Sequence, residues 1–159
     1  MDNILSILEE NACLTEAQVA VMAGISEKEA KEKIKRYEED GTIVGYKTMI
    51  DWDKTDREYI TALIEIKVTP QKDLGFDSVA KNIRSHPEVK SLYLMSGGFD
   101  LMVLIEGKTM KEVAMFVSSR LAAMDGVAAT ATHFVLKKYK DMGIAFGDKE
   151  KDERGYFGV

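Results

Sequence analysis

Residues 89–107 read VKSLYLMSGGFDLMVLIEG, and the alternation in this stretch sets the architecture. Val89 to Met95 and Phe99 to Ile105 are apolar runs joined at Ser96-Gly97-Gly98, the pattern of two strands and a tight connection. Val89, Tyr93 and Met95 alternate with Leu92 and Leu94; Phe99, Leu101, Val103 and Ile105 alternate with Met102 and Leu104. Strands that are apolar on both faces need cover on both faces. Paired glycines admit positive φ in the connection and leave backbone N–H groups open to a small anion. Asp100 follows at once. The hairpin is therefore expected to form the centre of a C-terminal sheet, with its tip as the candidate ligand site.

Upstream of the hairpin, Tyr59 to Thr69 alternates, with Ile60, Ala62, Ile64, Ile66 and Val68 on one face, and predicts a strand that Pro70 closes. Gly75 to Ser85 carries Phe76, Val79, Ala80 and Ile83 at helical spacing and stops before Pro87. Downstream of the hairpin, Thr109 and Glu112 cap a helix whose Val113, Phe116, Val117, Leu121 and Met124 line one side, and Gly126 lies past its end. Val127 to Lys140 reads as the last strand. The order is β-α-β-β-α-β, a ferredoxin-like split arrangement. Residues 141–159 form a charged tail without a clear period.

The N-terminal third is different in kind. Ile4 to Glu10 is a short apolar-rich helix. Thr15 with Gln18 opens a second helix that stops at Gly24, and Ser26 with Glu29 opens a third, whose Ala30, Ile34 and Tyr37 form a buried stripe before Gly41. Three short helices with a glycine turn between the second and third predict a helix-turn-helix. Thr42 to Ile50, TIVGYKTMI, follows as a β-like wing or linker strand. The polar run Asp51 to Glu58 marks a boundary. The fold class is thus α+β, with a winged helix-turn-helix over residues 1–50, a polar linker over 51–58, a ferredoxin-like domain over 59–140 and a tail over 141–159.

Composition sets bounds on function. The chain has 159 residues, 45% hydrophobic and 31% charged, with a net charge of −5, which describes a globular protein able to bury a core. No apolar run is long enough for a membrane span and the start lacks a basic export region, so no membrane partner and a cytoplasmic location are expected. One cysteine, Cys13, excludes an intrachain disulfide and a cysteine-based metal centre. No nucleophile–base pair, phosphate loop or metal spacing is visible, so the chain is expected to be no enzyme and to need no cofactor or metal. His86 reads as a helix-end residue and His133 as a structural strand residue.

With these residues in place, the chain resembles the leucine-responsive regulatory protein/AsnC (feast/famine) family of bacterial and archaeal transcription regulators. ILSILEENACLTEAQVAVMAGISEKEAKEKIKRYEEDGTIVGYKTMID follows that family's helix-turn-helix and the strand after it. LYLMSGGFDLMVLIEG is similar to its effector hairpin, and GVAATATHFVLKKYK to its final strand with two alternating threonines, Thr130 and Thr132. The resemblance covers roughly residues 3–140. It implies a C-terminal domain that builds homodimers, assembles them into rings such as octamers and binds amino acids, beside an N-terminal domain that binds double-stranded DNA. The chain departs from the family at Cys13, Val21 and Met22, where basic residues are usual, and at Gly98, where the hairpin turn usually carries an acid.

The site residues follow. Lys28, Lys31 and Lys35 fall along one stripe of the third helix, away from its apolar stripe, and with Ser26 and Arg36 are the candidate DNA contacts. The opposing reading is a solvated face on which Glu27, Glu29 and Glu32 pair with these lysines, because residues 1–50 hold six basic against ten acidic groups, a net of −4. Gly97, Gly98, Asp100, Thr130 and Thr132 are the candidate effector residues: glycine N–H groups for an α-carboxylate, Asp100 for an α-ammonium, and the two hydroxyls to close the pocket. Against this, aspartate after Gly-Gly is ordinary turn chemistry and threonine is an ordinary strand residue. Two other functions fit the same layout: an oligomeric small-molecule-binding module whose helix-turn-helix does not bind DNA, and a sirohaem-decarboxylase-like enzyme. The strand IVGYKTMI lacks the basic residues a tetracarboxylate needs, which speaks against the second.

Overall fold

Residues 3–69 and 75–147 are described in a computed structural model of the chain. The expected stop at Pro70 and the part of the charged tail beyond residue 147 lie outside them. The chain divides into two compact units, Met1–Ile50 and Asp51–Val159.

The first unit is built from α1 (Asn3–Glu10), α2 (Glu16–Ala23) and α3 (Glu27–Glu39). Thr15 caps α2 with the full reciprocal capping box: its hydroxyl accepts from the Gln18 N–H while the Gln18 side chain accepts from the Thr15 N–H, a pattern that contributes about 1 kcal/mol. Gly24 ends α2 at φ 69°, in the left-handed region that glycine enters without strain. Ser26 then caps α3 by accepting from the Glu29 N–H. Ile4, Ile7, Leu8, Val19, Ala20, Ala30 and Tyr37 are buried together, with Ile34 and Ile43 packed against them.

The expected strand over Thr42 to Ile50 is absent. Ile43 N–H donates to the Tyr37 carbonyl at 2.8 Å, folding the chain back onto α3; beyond it no ladder partner exists among the described residues, and Val44 is 95% exposed. A strand needs a neighbour to pair with.

The second unit opens with a 3₁₀ turn over Trp52–Lys54 inside the expected polar linker. The Arg57 guanidinium lies 4.3 Å from the centroid of the Trp52 ring. The elements that follow are β1 (Ile60–Val68), α4 (Phe76–Arg84), β2 (Val89–Leu94), β3 (Leu101–Gly107), α5 (Met110–Phe116) and β4 (Val127–Phe134), and then a short hairpin of β5 (Lys140–Asp141) and β6 (Ile144–Ala145). The four main strands lie in the order β2-β3-β1-β4, every neighbouring pair antiparallel. This is the predicted ferredoxin-like sheet.

Alternation along the strands sends Ala62, Ile64, Ile66, Val68, Leu101, Val103 and Ile105 to one face, where they are buried under Val79 and Ile83 of α4 and Val113, Phe116, Val117 and Leu121 of α5 and its continuation. The cross-strand partners Leu63–Leu104 and Glu65–Met102 occupy the other face, which no helix of this unit covers among the described residues.

Two expectations about this sheet need correction. The hairpin is not the centre of the sheet, because β1 and β3 are its inner strands and β2 is an edge, paired among the described residues with β3 alone. The last strand ends at Phe134, short of Lys140. Among the described residues β4 pairs only with β1, which starts at Ile60, so after Ala62 pairs with Phe134 and the Val135 N–H donates to the Thr61 carbonyl no further β1 residue faces β4. The expected irregular tail likewise begins with the ordered β5–β6 hairpin, and its end is tied back where Gly147 N–H donates to Asp51 Oδ2 at 3.3 Å and Lys54 Nζ donates to the Gly147 carbonyl at 2.9 Å.

Candidate functional site

The first candidate surface is the outer side of α3. Ser26 holds the N-terminus of the helix through its cap, so its hydroxyl is already engaged by a backbone N–H. Lys28, Lys31, Lys35 and Arg36 are all exposed. Lys28 approaches Glu32 at 3.9 Å, a pair the solvated-face reading named, whereas Lys35 approaches Glu39 at 3.5 Å and Glu29 pairs with Lys33, which it did not. Lys31 forms no ion pair among the described residues. Exposed i, i+4 pairs contribute only about 0.3–0.5 kcal/mol, so a lysine in such a pair remains available to a competing phosphate. Below the helix, Asp40 is held beneath its ordinary value of 3.8, chiefly by hydrogen bonds from Thr42, with the Arg36 charge adding to the effect.

The second candidate is the β2–β3 turn. The Met95 N–H donates to the Asp100 carbonyl at 2.8 Å, and the Asp100 N–H donates to the Ile66 carbonyl at 3.0 Å. Gly97 takes φ 156° whereas Gly98 stays at negative φ, so only one of the paired glycines uses a positive-φ conformation. Nothing lies within 4 Å of where a Cβ would stand at either position, which leaves the backbone of the turn open to approach.

Asp100 is not at an exposed tip. It is half-buried, and its Oδ2 accepts from the Val68 N–H at 2.7 Å. The last β1–β3 pair is Ile66 with Leu101, and the Val68 N–H faces the β3 side beyond it, so the carboxylate takes up a donor that the end of the ladder leaves without a strand partner.

Thr130 pairs with Ile66 and Thr132 with Ile64. Leu101 and Thr130 therefore flank Ile66 from opposite sides, about two strand spacings or ~10 Å apart, and Asp100 directly precedes Leu101. Thr130 is half-buried and Thr132 exposed. The fold gathers Asp100 and Thr130 at one end of the sheet, while Gly97 and Gly98 project beyond it.

Two clefts of this unit went unread in the sequence, and neither is lined by Gly97, Gly98, Asp100, Thr130 or Thr132. One, of about 440 Å³, runs between α4 and β2, with Phe76, Asp77, Arg84, Lys90 and Leu92 in its walls. The other, of about 450 Å³, lies between α5 and the paired ends of β2 and β3 and includes Glu88 and Arg120. Glu88 sits between a helix-ending proline and a strand, where no periodicity marks it. Among the described residues no group of three or more candidate ligands could hold a metal ion, and no helix is long and apolar enough to cross a membrane. His133 Nε2 lies 3.4 Å from Glu65 Oε1, and His86 packs edge-on against Phe116 at 5.3 Å.

Comparison with known proteins matches each unit separately. A family model described as Lrp/AsnC ligand binding domain matches residues 61–144, and one described as winged helix-turn-helix DNA-binding matches residues 3–44. The chain is similar to the HTH-type transcriptional regulator YugG of Bacillus subtilis, 47% identical over 152 residues that cover 95% of this chain and 92% of that protein. It is 29% identical over 137 residues to the HTH-type transcriptional regulator LrpA of Pyrococcus abyssi, covering 86% and 94% of the two chains. Among solved structures, the transcriptional regulator NMB0573 of Neisseria meningitidis in complex with L-Met superposes with a TM-score of 0.70 at 25% identity, over 87% of this chain and 88% of that one.

Proposed function

Because the chain belongs to the Lrp/AsnC family of transcriptional regulators, with a helix-turn-helix for DNA and a domain for a small effector, we propose that it reads DNA through α3 and responds to an amino acid bound at the β2–β3 turn. The observation that carries this reading is the exposed Lys28, Lys31, Lys35 stripe on a helix whose start is fixed by the Ser26 cap. Such a stripe neutralises phosphates while the helix N-terminus approaches the bases. Arg36 extends the same surface. The unit is acidic overall, so each copy contributes modest affinity and useful binding comes from several copies engaging one DNA.

At the turn, the N–H groups of Gly97 and Gly98 receive the effector carboxylate, and Thr130 and Thr132 offer hydroxyls. Asp100 takes a second part besides the ammonium contact. With one oxygen held by Val68, it positions the turn and leaves its second oxygen for an ammonium. The bound L-Met of the Neisseria relative supports an amino acid as the ligand class.

The bare face of the sheet, with Leu63, Met102 and Leu104 half-buried, favours a homodimer that covers it and a further assembly of dimers such as an octamer. A regulator of this kind works where its DNA is, in the cytoplasm. The ion pairs Lys28–Glu32 and Lys35–Glu39 favour a second reading, an effector-binding oligomer whose helix-turn-helix leaves DNA alone. Selection of genomic fragments on the purified protein, with and without amino-acid mixtures, separates the two. Enriched fragments whose recovery shifts with one amino acid support the regulator; no enrichment over a Lys31→Glu, Lys35→Glu protein overturns it.

A further inference from the structure

We infer that the cleft between α5 and the paired ends of β2 and β3 is a second ligand site, distinct from the β2–β3 turn, that takes a small primary ammonium compound with an apolar body. The argument starts from Glu88. Its Oε2 is sealed from solvent and has no hydrogen-bond partner among the described residues, and neither Glu88 nor Arg120 forms an ion pair there. A carboxylate that loses hydration on one oxygen without gaining a donor is costly, and a nearby cation is the usual compensation.

The rest of the cleft matches such a cation. Its apolar side is Ile105, Val113, Met115 and Phe116, and its volume of about 450 Å³ accommodates a small organic molecule. Its charged lining comprises Glu88, Glu106 and Glu112 against the single cation Arg120, a balance that attracts positive charge. Glu112 is not the anchor, because its Oε2 already accepts from the Lys108 N–H at 2.8 Å. Glu88 is fixed in place by its own backbone, whose carbonyl accepts from the Glu106 N–H at 3.1 Å. The terminal torsion of its side chain is soft, so the carboxylate can turn to meet an ammonium in the cleft.

The wall that carries Ser119 and Arg120 is also unusual. α5 passes into a π-helical turn over Val117–Leu121, closed by the Ala122 N–H donating to the Val117 carbonyl five residues back at 2.8 Å. Such turns insert a residue into a helix, re-aim the side chains on it and recur at functional sites. Here Ser119 and Arg120 of the π-helical segment line the cleft beside Glu112, Val113, Met115 and Phe116 of α5.

Two sources of the ammonium share this chemistry, a plain amine and an amino acid, and Arg120 at the rim distinguishes them by its affinity for a carboxylate. Calorimetry on the full chain would use 3-methylbutylamine, leucine and the uncharged 3-methylbutan-1-ol, with wild type, Glu88→Gln and Met115→Trp. Glu88→Gln removes the charge and keeps the shape, and Met115→Trp fills the mouth from a side chain that is 57% exposed. The expected result is that wild type binds the amine or leucine, the alcohol binds at least about tenfold more weakly, and both variants lose about tenfold or more. If leucine binds and Arg120→Gln weakens it alone, the source is an amino acid. No heat with either ammonium compound, or wild-type affinity in Glu88→Gln, overturns the site. Should Glu88→Gln fail to fold, wild-type affinity in Met115→Trp does so instead.

Discussion

The carboxylate of Asp100 accepts a 2.7 Å hydrogen bond from the N–H of Val68, at the point where β1 slips register against β4. One side chain thereby joins the start of β3 to the end of β1, and a residue that looks like a ligand group in the sequence also holds the sheet together.

Asp100→Ala is expected to destabilise the protein by ~1.5–3 kcal/mol, the range for a charge-assisted hydrogen bond whose loss leaves a buried donor unmet. Asp100→Asn retains an oxygen acceptor and should lose about half as much or less. Urea unfolding of the two variants checks this. An alanine variant as stable as wild type would mean that the bond to Val68 carries no net stability.

Lys31→Glu is expected to weaken DNA binding more than Lys28→Ala, because Lys31 has no ion pair among the described residues whereas Lys28 approaches Glu32 at 3.9 Å. Every phosphate that is no longer neutralised should also reduce the slope of log affinity against log salt by about 0.9. Fluorescence anisotropy on a selected fragment across a salt series reads both quantities. Unchanged affinity and slope in Lys31→Glu would remove α3 from the interface.

Leu104→Lys places a charge in the middle of the helix-free sheet face, on a strand whose opposite face is fully packed. The expected outcome is a monomer with wild-type circular dichroism, measured by light scattering at micromolar concentration. A wild-type protein that is itself monomeric, or a variant that still assembles, would show that this face is not the contact.

Tyr46 donates to Glu38 Oε1 at 2.9 Å, and its phenol is raised above the ordinary value of 10.0, first by burial and then by that hydrogen bond. The folded protein holds this proton more tightly than the unfolded chain. Its contribution to stability is therefore complete below about pH 10 and is lost as pH rises through the raised folded value. Tyr46→Phe should abolish that part of the alkaline loss, followed by thermal melts against pH, with phenolate absorbance assigning the titration. Identical alkaline profiles for the two proteins would contradict it.

Local chemistry made much of this molecule legible in its sequence. The Thr15–Gln18 capping box, the Ser26 cap and the left-handed Gly24 are short-range signals, so the three helices and their turn could be read one residue at a time. The period-two apolar face from Ala62 to Val68 and the helical stripes of α4 and α5 reflect burial on one side, and they placed the β-α-β-β-α-β order and most of the core.

The remaining features depend on pairings between segments distant in sequence, which the folded chain alone brings together. Asp100 and Val68 are 32 positions apart, and nothing near Asp100 announces that the end of the β1–β3 ladder leaves a donor for it. β4 stops at Phe134 because β1 starts at Ile60, although the residues to Lys140 would suit a strand. The stretch from Thr42 to Ile50 has strand-like composition yet forms no strand among the described residues, since a strand is completed by its neighbour. Glu88 and Arg120 line one cleft only because the sheet and α5 bring them there. Periodicity along a chain records which side of an element is buried; which partner does the burying is settled by the other elements.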